Sequence, residues 1–529
     1  MSRTQNSALN FLTSIGATLL VVLLNFITRS VFIAQLGTSY LGIEGLFTNI
    51  LSVLSLAELG FGSAIVFKLY RPIEEQNYPR IRVLMKFYRQ VYFCIGTIIV
   101  VLGLCLIPFL PLLIKDYDTL TSLQLQPVLI FLIYLFNSAC SYWFFAYKTS
   151  FVEANQKSYI LTSIGYVVSI VNSLAQIFVL IRTHNFVLYI GVQVFFSIFR
   201  NIIYALICDH RYPYLRGKTS DRISKAELRA VLKDCSALLL YRINYAVIST
   251  SDSIVTSAFL GLNAVGIYAN YVSVKTSVRT LLYTFYSSIQ ASLGSLYSTG
   301  NLQWSRLMFR VVNFFSTCIY SVGAIGLAVM LDEFIGELWL SPDFVVTSWV
   351  VNGQTIHTPV ALLVGIEAYL AGQTFYCSSF RSAAGLFQQM KFRPVFSILV
   401  NLCFSLLLVP RIGIAGCAMS TIISMLTTDL IIDPIIIHKH VLKESPTKYF
   451  LRNFLYKIVV VAAGMLTWFV CRQIPLAGVP GFLIRGSLCV LIPLGSLSLC
   501  FFRTTEFRFL LNTGKDLLQK RLKSAGDGE

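Results

Sequence analysis

The sequence predicts an all-α membrane protein of about fourteen transmembrane helices: two pseudo-symmetric six-helix lobes around a central cavity, plus two C-terminal helices. Three observations predict it. Hydrophobic residues fill 56% of 529 positions and charged residues only 12%, where a soluble chain carries roughly twice that charge. The apolar residues fall in blocks long enough to cross a roughly 30 Å hydrocarbon core. Lysines and arginines gather in every second connection between those blocks.

Spans are expected near 9–34, 42–66, 91–114, 125–147, 159–181, 186–208, 235–260, 264–288, 308–331, 358–382, 394–410, 412–437, 450–471 and 479–502. The first, from about Leu9 to Ala34, is too long for a signal-peptide core and is read as a retained helix. Basic connections are those holding Lys68, Arg71, Arg80, Arg82, Lys86 and Arg89; Arg211, Arg216, Lys218, Arg222, Lys225, Arg229 and Lys233; and Lys439, Lys443, Lys448 and Arg452. The tail is basic too. The alternate connections are nearly free of cations, and the longest carries Asp332, Glu333, Glu337 and Asp343. The alternation keeps its phase along the chain, so both termini are expected in the cytoplasm.

The expected divisions are an N-lobe over 1–208, a basic linker over 209–234, a C-lobe over 235–438, two helices over 439–502 and a cytoplasmic tail over 503–529. A net charge of +18 is thus accounted for by topology, and nucleic acid is not an expected partner. Twelve cysteines include no CxxC and no zinc-spaced cluster, so most read as small buried hydrophobes. No phosphate loop, no His-Glu-x-x-His and no nucleophile with a convincing base is present. No cofactor is implied beyond Na⁺ or H⁺ as a coupling ion.

An internal repeat supports the two lobes. Leu36-Gly37 followed by Leu41-Gly42-Ile43 recurs as Leu260-Gly261 followed by Val265-Gly266-Ile267, an offset of 224 residues. A further turn of this kind stands at Gly413, Ile414 and Gly416. Ser169-Ile170-Val171-Asn172 has an approximate counterpart in Ser397-Ile398-Leu399-Val400-Asn401. Repeats of this kind often flank a substrate path.

Ionisable groups inside spans need a partner, water or a task. Arg29 shares one face of the first helix with Ser14, Thr18 and Asn25; Arg242, Tyr245, Ser249, Asp252 and Thr256 share one in the seventh; Tyr268, Tyr271, Lys275 and Arg279 share one in the eighth. Such stripes suit a wet cavity between lobes. Alternatives stand beside it: Asp252 and Lys275 could pair across the hairpin at Gly261, and Arg242 could snorkel to the interface. Glu58 could serve a gate or sit at the interface. Glu367, Asp429 and Asp433 could serve a proton or sodium relay, although Asp429 and Asp433, one turn apart near the inner interface, are better accounted for by solvation. Arg29, Lys275 and Arg279 would attract an anion, and arginine matches phosphate oxygens in bidentate geometry.

Several stretches carry a resemblance: Phe26-Ile27-Thr28-Arg29, Ala57-Glu58-Leu59-Gly60-Phe61-Gly62-Ser63-Ala64, Ala154-Asn155-Gln156-Lys157-Ser158-Tyr159, Gly385-Leu386-Phe387, Lys391-Phe392-Arg393-Pro394 and Pro410-Arg411-Ile412-Gly413-Ile414-Ala415-Gly416. In order and spacing they resemble the polysaccharide-transporter branch of the multidrug/oligosaccharidyl-lipid/polysaccharide exporter superfamily. The resemblance implies a flippase in the bacterial inner membrane. It would carry undecaprenyl-pyrophosphate-linked sugar units for O-antigen, capsule or exopolysaccharide by alternating access, beside a polymerase and glycosyltransferases. Arg29 would be the family's first-helix cation. Substrate contacts are expected from Arg29, Lys275, Arg279, Asn25, Tyr268 and Tyr271, and gating or ion coupling from Glu58, Asp252, Arg242 and Glu367. A multidrug exporter of the same fold, driven by Na⁺ or H⁺, remains an alternative, as do a membrane-embedded enzyme or assembly protein and a flippase for another lipid-linked polymer.

Overall fold

The computed structural model describes residues 3–55, 69, 72–114, 126–145, 147–155, 158–217, 247–248, 250–297, 302–351, 354–383, 386, 389–390 and 392–512. Most of the expected linker at 209–234 and of the tail lies outside them.

The helices run in order as α1 (Arg3–Leu36), α2 (Thr38–Leu54), α3 (Tyr78–Leu106), α4 (Pro127–Trp143), α5 (Tyr147–Ala154), α6 (Ser158–Thr183) and α7 (Phe186–Arg211). Next come α8 (residues 250–260) and α9 (Leu262–Tyr297), then α10 (Leu302–Glu333), α11 (Val360–Ala383) and α12 (Arg393–Ile412). The last are α13, beginning at Ala415 and running to Leu442, α14 (Thr447–Arg472) and α15 (Gly478–Phe501). Each of the fourteen expected spans coincides with helix in the described residues. Ten helices among those residues are long and apolar enough to cross a membrane, and the bent pair α4–α5 makes an eleventh. Expected spans two, seven and eight correspond to α2, described for 17 residues, to α8, of which only the end is described, and to the polar α9.

Lipid as the outer solvent explains the surface. Leu23, Phe178, Leu206 and Leu451 are each about 60% exposed, an arrangement that water would penalise and hydrocarbon does not. The chain is a multi-pass membrane protein.

Glycine sets the sharp turns. Gly37, Gly261 and Gly413 have φ of 89°, 87° and 65°, the left-handed region open to a residue without Cβ. Each ends a helix by donating its N–H four residues back, to Ile33, Ser257 and Val409. Turns at all three were legible in the sequence.

The described chain forms two compact units, Met1–Ala269 and Asn270–Glu529. In the first, α1 packs on α6, α3 on α4 and α6 on α7. Phe32, Phe47, Phe131 and Tyr189 are among the core residues, and Phe47 meets Phe131 edge-on at 5.2 Å.

In the second unit, α10 lies along α11 and α12 along α13, and α15 covers α10. The α12–α13 seam is polar. Ser397 and Ser424 hydroxyls stand 3.0 Å apart, Asn401 donates to Thr421 at 3.2 Å, and Ser405 and Ser420 are 2.8 Å apart. In lipid such bonds hold helices where burial of apolar area cannot. One element was unforeseen. The long loop after α10 folds into an antiparallel hairpin of β1 (Ser348–Val351) and β2 (Gln354–His357), with Val351 opposite Gln354. Asn352-Gly353, the dipeptide favoured by two-residue hairpin loops, stands between the strands in the sequence.

A Cβ on Gly372 of α11 would lie 2.1 Å from the base of the Tyr320 ring on α10. Overpacking of this kind costs about 1–3 kcal/mol. Gly372→Val is therefore expected to lower the melting temperature of the detergent-purified protein; an unchanged melt would show that this seam yields.

Candidate functional site

Charges within the spans mark the places where the fold departs from apolar packing. In the first unit, α1 and α2 form a hairpin about Gly37. Arg29 stands eight residues before the turn and Glu44 seven after it, so the two face each other at one depth. Arg29 is half-buried and sits in the electrostatic field of Glu44 and of Tyr189 from α7. Tyr134 from α4 senses the same carboxylate. Asn25, one turn earlier, is exposed, and Asp252 on α8 is buried.

The α9 stripe shares one face, and its members meet different neighbours. Tyr268 and Tyr271 are buried. In the second unit, the Tyr271 hydroxyl donates to Asp332 at 2.9 Å and accepts from the Val346 N–H at 2.9 Å. Lys275 Nζ donates to both oxygens of Glu367 on α11, at 2.7 and 2.8 Å. Lys275 and Glu367 thus form a two-pronged ion pair, and Lys275 does not depend on Asp252 for a counter-charge. Arg279, a further turn along, is exposed, and its charge reaches Tyr320 on α10.

Asp429 and Asp433 correct the expectation of solvated carboxylates. Both lie on α13, and Asp433 is fully buried. Arg381, near the end of α11, donates to Asp433 at 2.6 Å. Arg393, at the start of α12, bonds Asp429 and holds its Nε 3.1 Å from Asp433. Two arginines and two aspartates therefore cancel among three helices. Their proximity to the inner interface suggested water, but the arginines flanking the α11–α12 connection replace it. A second staple joins Arg485 of α15 to Glu333 at the end of α10.

Glu44, Arg381 and Arg393 were missed as site residues. Glu44 was findable by reflecting Arg29 through the Gly37 turn. The arginine–aspartate set had no such local signal, because its partners lie 36 and 52 residues apart. Glu58 and Arg242 lie outside the described residues.

Whole-chain comparison places this architecture. No family model matches the chain, and no curated protein matches it. Among solved structures, a lipid II flippase, MurJ, in an inward closed conformation aligns with TM-score 0.62 and 15% identity, covering 93% of this chain and 99% of that one. An inward-facing multidrug-resistance transporter of the MATE family and MOP superfamily aligns at 0.58 and 11%, covering 81% of this chain and 98% of its own. A Vibrio cholerae MATE transporter, VcmN in a mutant form, aligns at 0.52 and 16%, covering 83% and 99%. The chain shares the fold of these solved structures.

Removing Asp433 would leave Arg381 without its carboxylate in a dry setting, a loss of about 3–5 kcal/mol. Asp433→Ala should therefore melt markedly lower, whereas Arg381→Met with Asp433→Leu, which deletes the pair together, should recover most of the loss. Equal melts for the single and double variants would show that the pair is not coupled.

Proposed function

We propose, from that fold, that this chain is a flippase moving pyrophosphate-linked oligosaccharides on a polyprenyl lipid from the cytoplasmic to the outer leaflet of a bacterial inner membrane. One observation carries the reading. The flippase structure covers 93% of the chain, the two exporters 81% and 83%. In this reading both termini are cytoplasmic, and the lobes rock about a hydrated path while the lipid tail stays in hydrocarbon. A sugar headgroup cannot shed its hydrogen-bonded water into lipid, so a wet route lowers the barrier.

Arg29 is the residue we assign to the pyrophosphate. It sits within a span on a polar helix face, and Glu44 offsets its charge. A phosphate can exchange with that carboxylate because guanidinium binds both in the same bidentate manner. Arg279, exposed on α9, is assigned the second contact, with Asn25 beside the path. Tyr268 and Tyr271 support α9, and the Tyr271 hydroxyl is already engaged by Asp332 and Val346. Lys275 with Glu367 is assigned to gating or ion coupling rather than to the headgroup, since the ammonium is held by both carboxylate oxygens. The same bond weighs against a drug exporter, in which Glu367 would have to receive a cation already replaced by Lys275. Na⁺ or H⁺ as coupling ion, and a polymerase and glycosyltransferases as partners, complete the proposal.

Arg29→Glu, expressed in a strain deleted for the gene, should abolish surface polysaccharide at unchanged protein level. Arg29→Lys should retain part of it, because an ammonium keeps the charge without the fork. The swap Arg29→Glu with Glu44→Arg should recover thermal stability but not export. Normal polymer in Arg29→Glu, or drug resistance on overexpression, would sink the flippase reading.

A further inference from the structure

We infer that the outer end of this protein is closed by a reciprocal glycine latch, Gly42 on α2 against the start of α9 and Gly266 on α9 against the start of α2. The inference rests on the topology proposed above, in which the turns at Gly37 and Gly261 face outward. The contact itself lies wholly within the first compact unit.

The geometry is symmetric in a way that local packing does not require. A Cβ added to Gly42 would stand 2.1 Å from the Leu262 carbonyl oxygen, and one added to Gly266 would stand 2.3 Å from the Thr38 carbonyl oxygen. The offset of 224 residues that relates Gly42 to Gly266 also relates Thr38 to Leu262. Each repeat copy therefore presents the same glycine to the same carbonyl of the other. Backbones can approach this closely only where both helices lack a side chain, and Cα–H groups then face carbonyl oxygens. Around the crossing, Thr38 hydrogen-bonds Asn263, Asn49 donates to Ser253 at 2.6 Å, and Gly45 faces Val265.

This chemistry suits a contact that parts and reforms. The groups brought together at the two glycines are backbone and neutral side chains. Water replaces the neutral hydrogen bonds at small net cost, about 1 kcal/mol each. Closure in turn needs no counter-ion and no apolar plug. The intolerance is to volume: one methyl on either glycine blocks the approach. The latch joins the first hairpins of the two repeats, whose separation any outward path between repeats requires.

The test uses the full chain in native membranes, with its own cysteines kept. Thr38→Cys with Asn263→Cys is oxidised by copper–phenanthroline, and the linked peptides are identified by mass spectrometry. The disulfide should form without added substrate, stop polysaccharide export and release it on reduction. Gly42→Ala or Gly266→Ala, added to the cysteine pair, should lose the cross-link. Either alanine should also raise labelling of the single variant Asn263→Cys by an impermeant maleimide applied outside. The cysteine pair retains both glycines, so it reports even where an alanine variant fails to insert. A cross-link that leaves export intact, or alanine variants that cross-link as before, would overturn the latch. Maleimide labelling only from the cytoplasmic side would overturn the topology and the latch with it. Normal export in Arg29→Glu would instead sink the flippase reading, while cross-linking and labelling would still report on the latch.

Discussion

A charge held in hydrocarbon must be matched or wetted, and the second unit of this protein is organised by matching. Arg381 and Arg393 meet Asp429 and Asp433, Lys275 meets Glu367, and Arg485 meets Glu333. Arg381–Asp433, Lys275–Glu367 and Arg485–Glu333 tie helices that are not consecutive in the chain, and Arg393–Asp429 joins the consecutive α12 and α13. Because lipid removes the apolar driving force between helices, these pairs and the Ser397–Ser424, Asn401–Thr421 and Ser405–Ser420 contacts supply specificity that a soluble protein would take from its core. The balance has a functional side: cations already matched inside the unit contribute little field to a ligand outside it. Lys275, held by both oxygens of Glu367, is the clearest case.

Arg29 takes its offsetting carboxylate, Glu44, from the next helix of the same hairpin, whereas Arg381 and Arg485 meet carboxylates on helices not adjacent in the chain. In the second repeat copy, the positions corresponding to Arg29 and Glu44 are Ser253 and Tyr268, so the charged pair belongs to the first copy alone while the turn glycines belong to both.

The helices and their punctuation were legible in the sequence. Block length located the spans, and glycine in apolar surroundings located the turns at Gly37, Gly261 and Gly413. The 224-residue repeat was legible too, although not that its two copies would touch. What periodicity could not supply was pairing. Nothing local in Arg393 points to Asp429, and a stripe such as Tyr271, Lys275 and Arg279 states that a face is polar without stating what it meets. Asp429 and Asp433 were misjudged because distance from the interface is a poor guide to wetness once arginines are near. The β1–β2 hairpin was missed because an acidic loop in a helical chain was read by its charge and not by its Asn-Gly dipeptide.

The span from Ala415 to Leu442 is interrupted by a wider π-turn at Met425–Asp429 and ends in another at His438–Leu442. Each wide turn takes up one residue more than an α-turn, and so rotates the downstream part of the helix by about 100° relative to an unbroken one. The interruption lies between the seam residues Ser420, Thr421 and Ser424 and the buried Asp433, so one continuous rod could not aim both sets as they stand. Deleting one residue from Met425–Asp429 would thus do more than shorten the helix: it would swing the aspartate away from its arginines while leaving the serine seam in place. Comparisons of this chain with its relatives should accordingly allow a one-residue slip in register at that point, where length and orientation are separate variables.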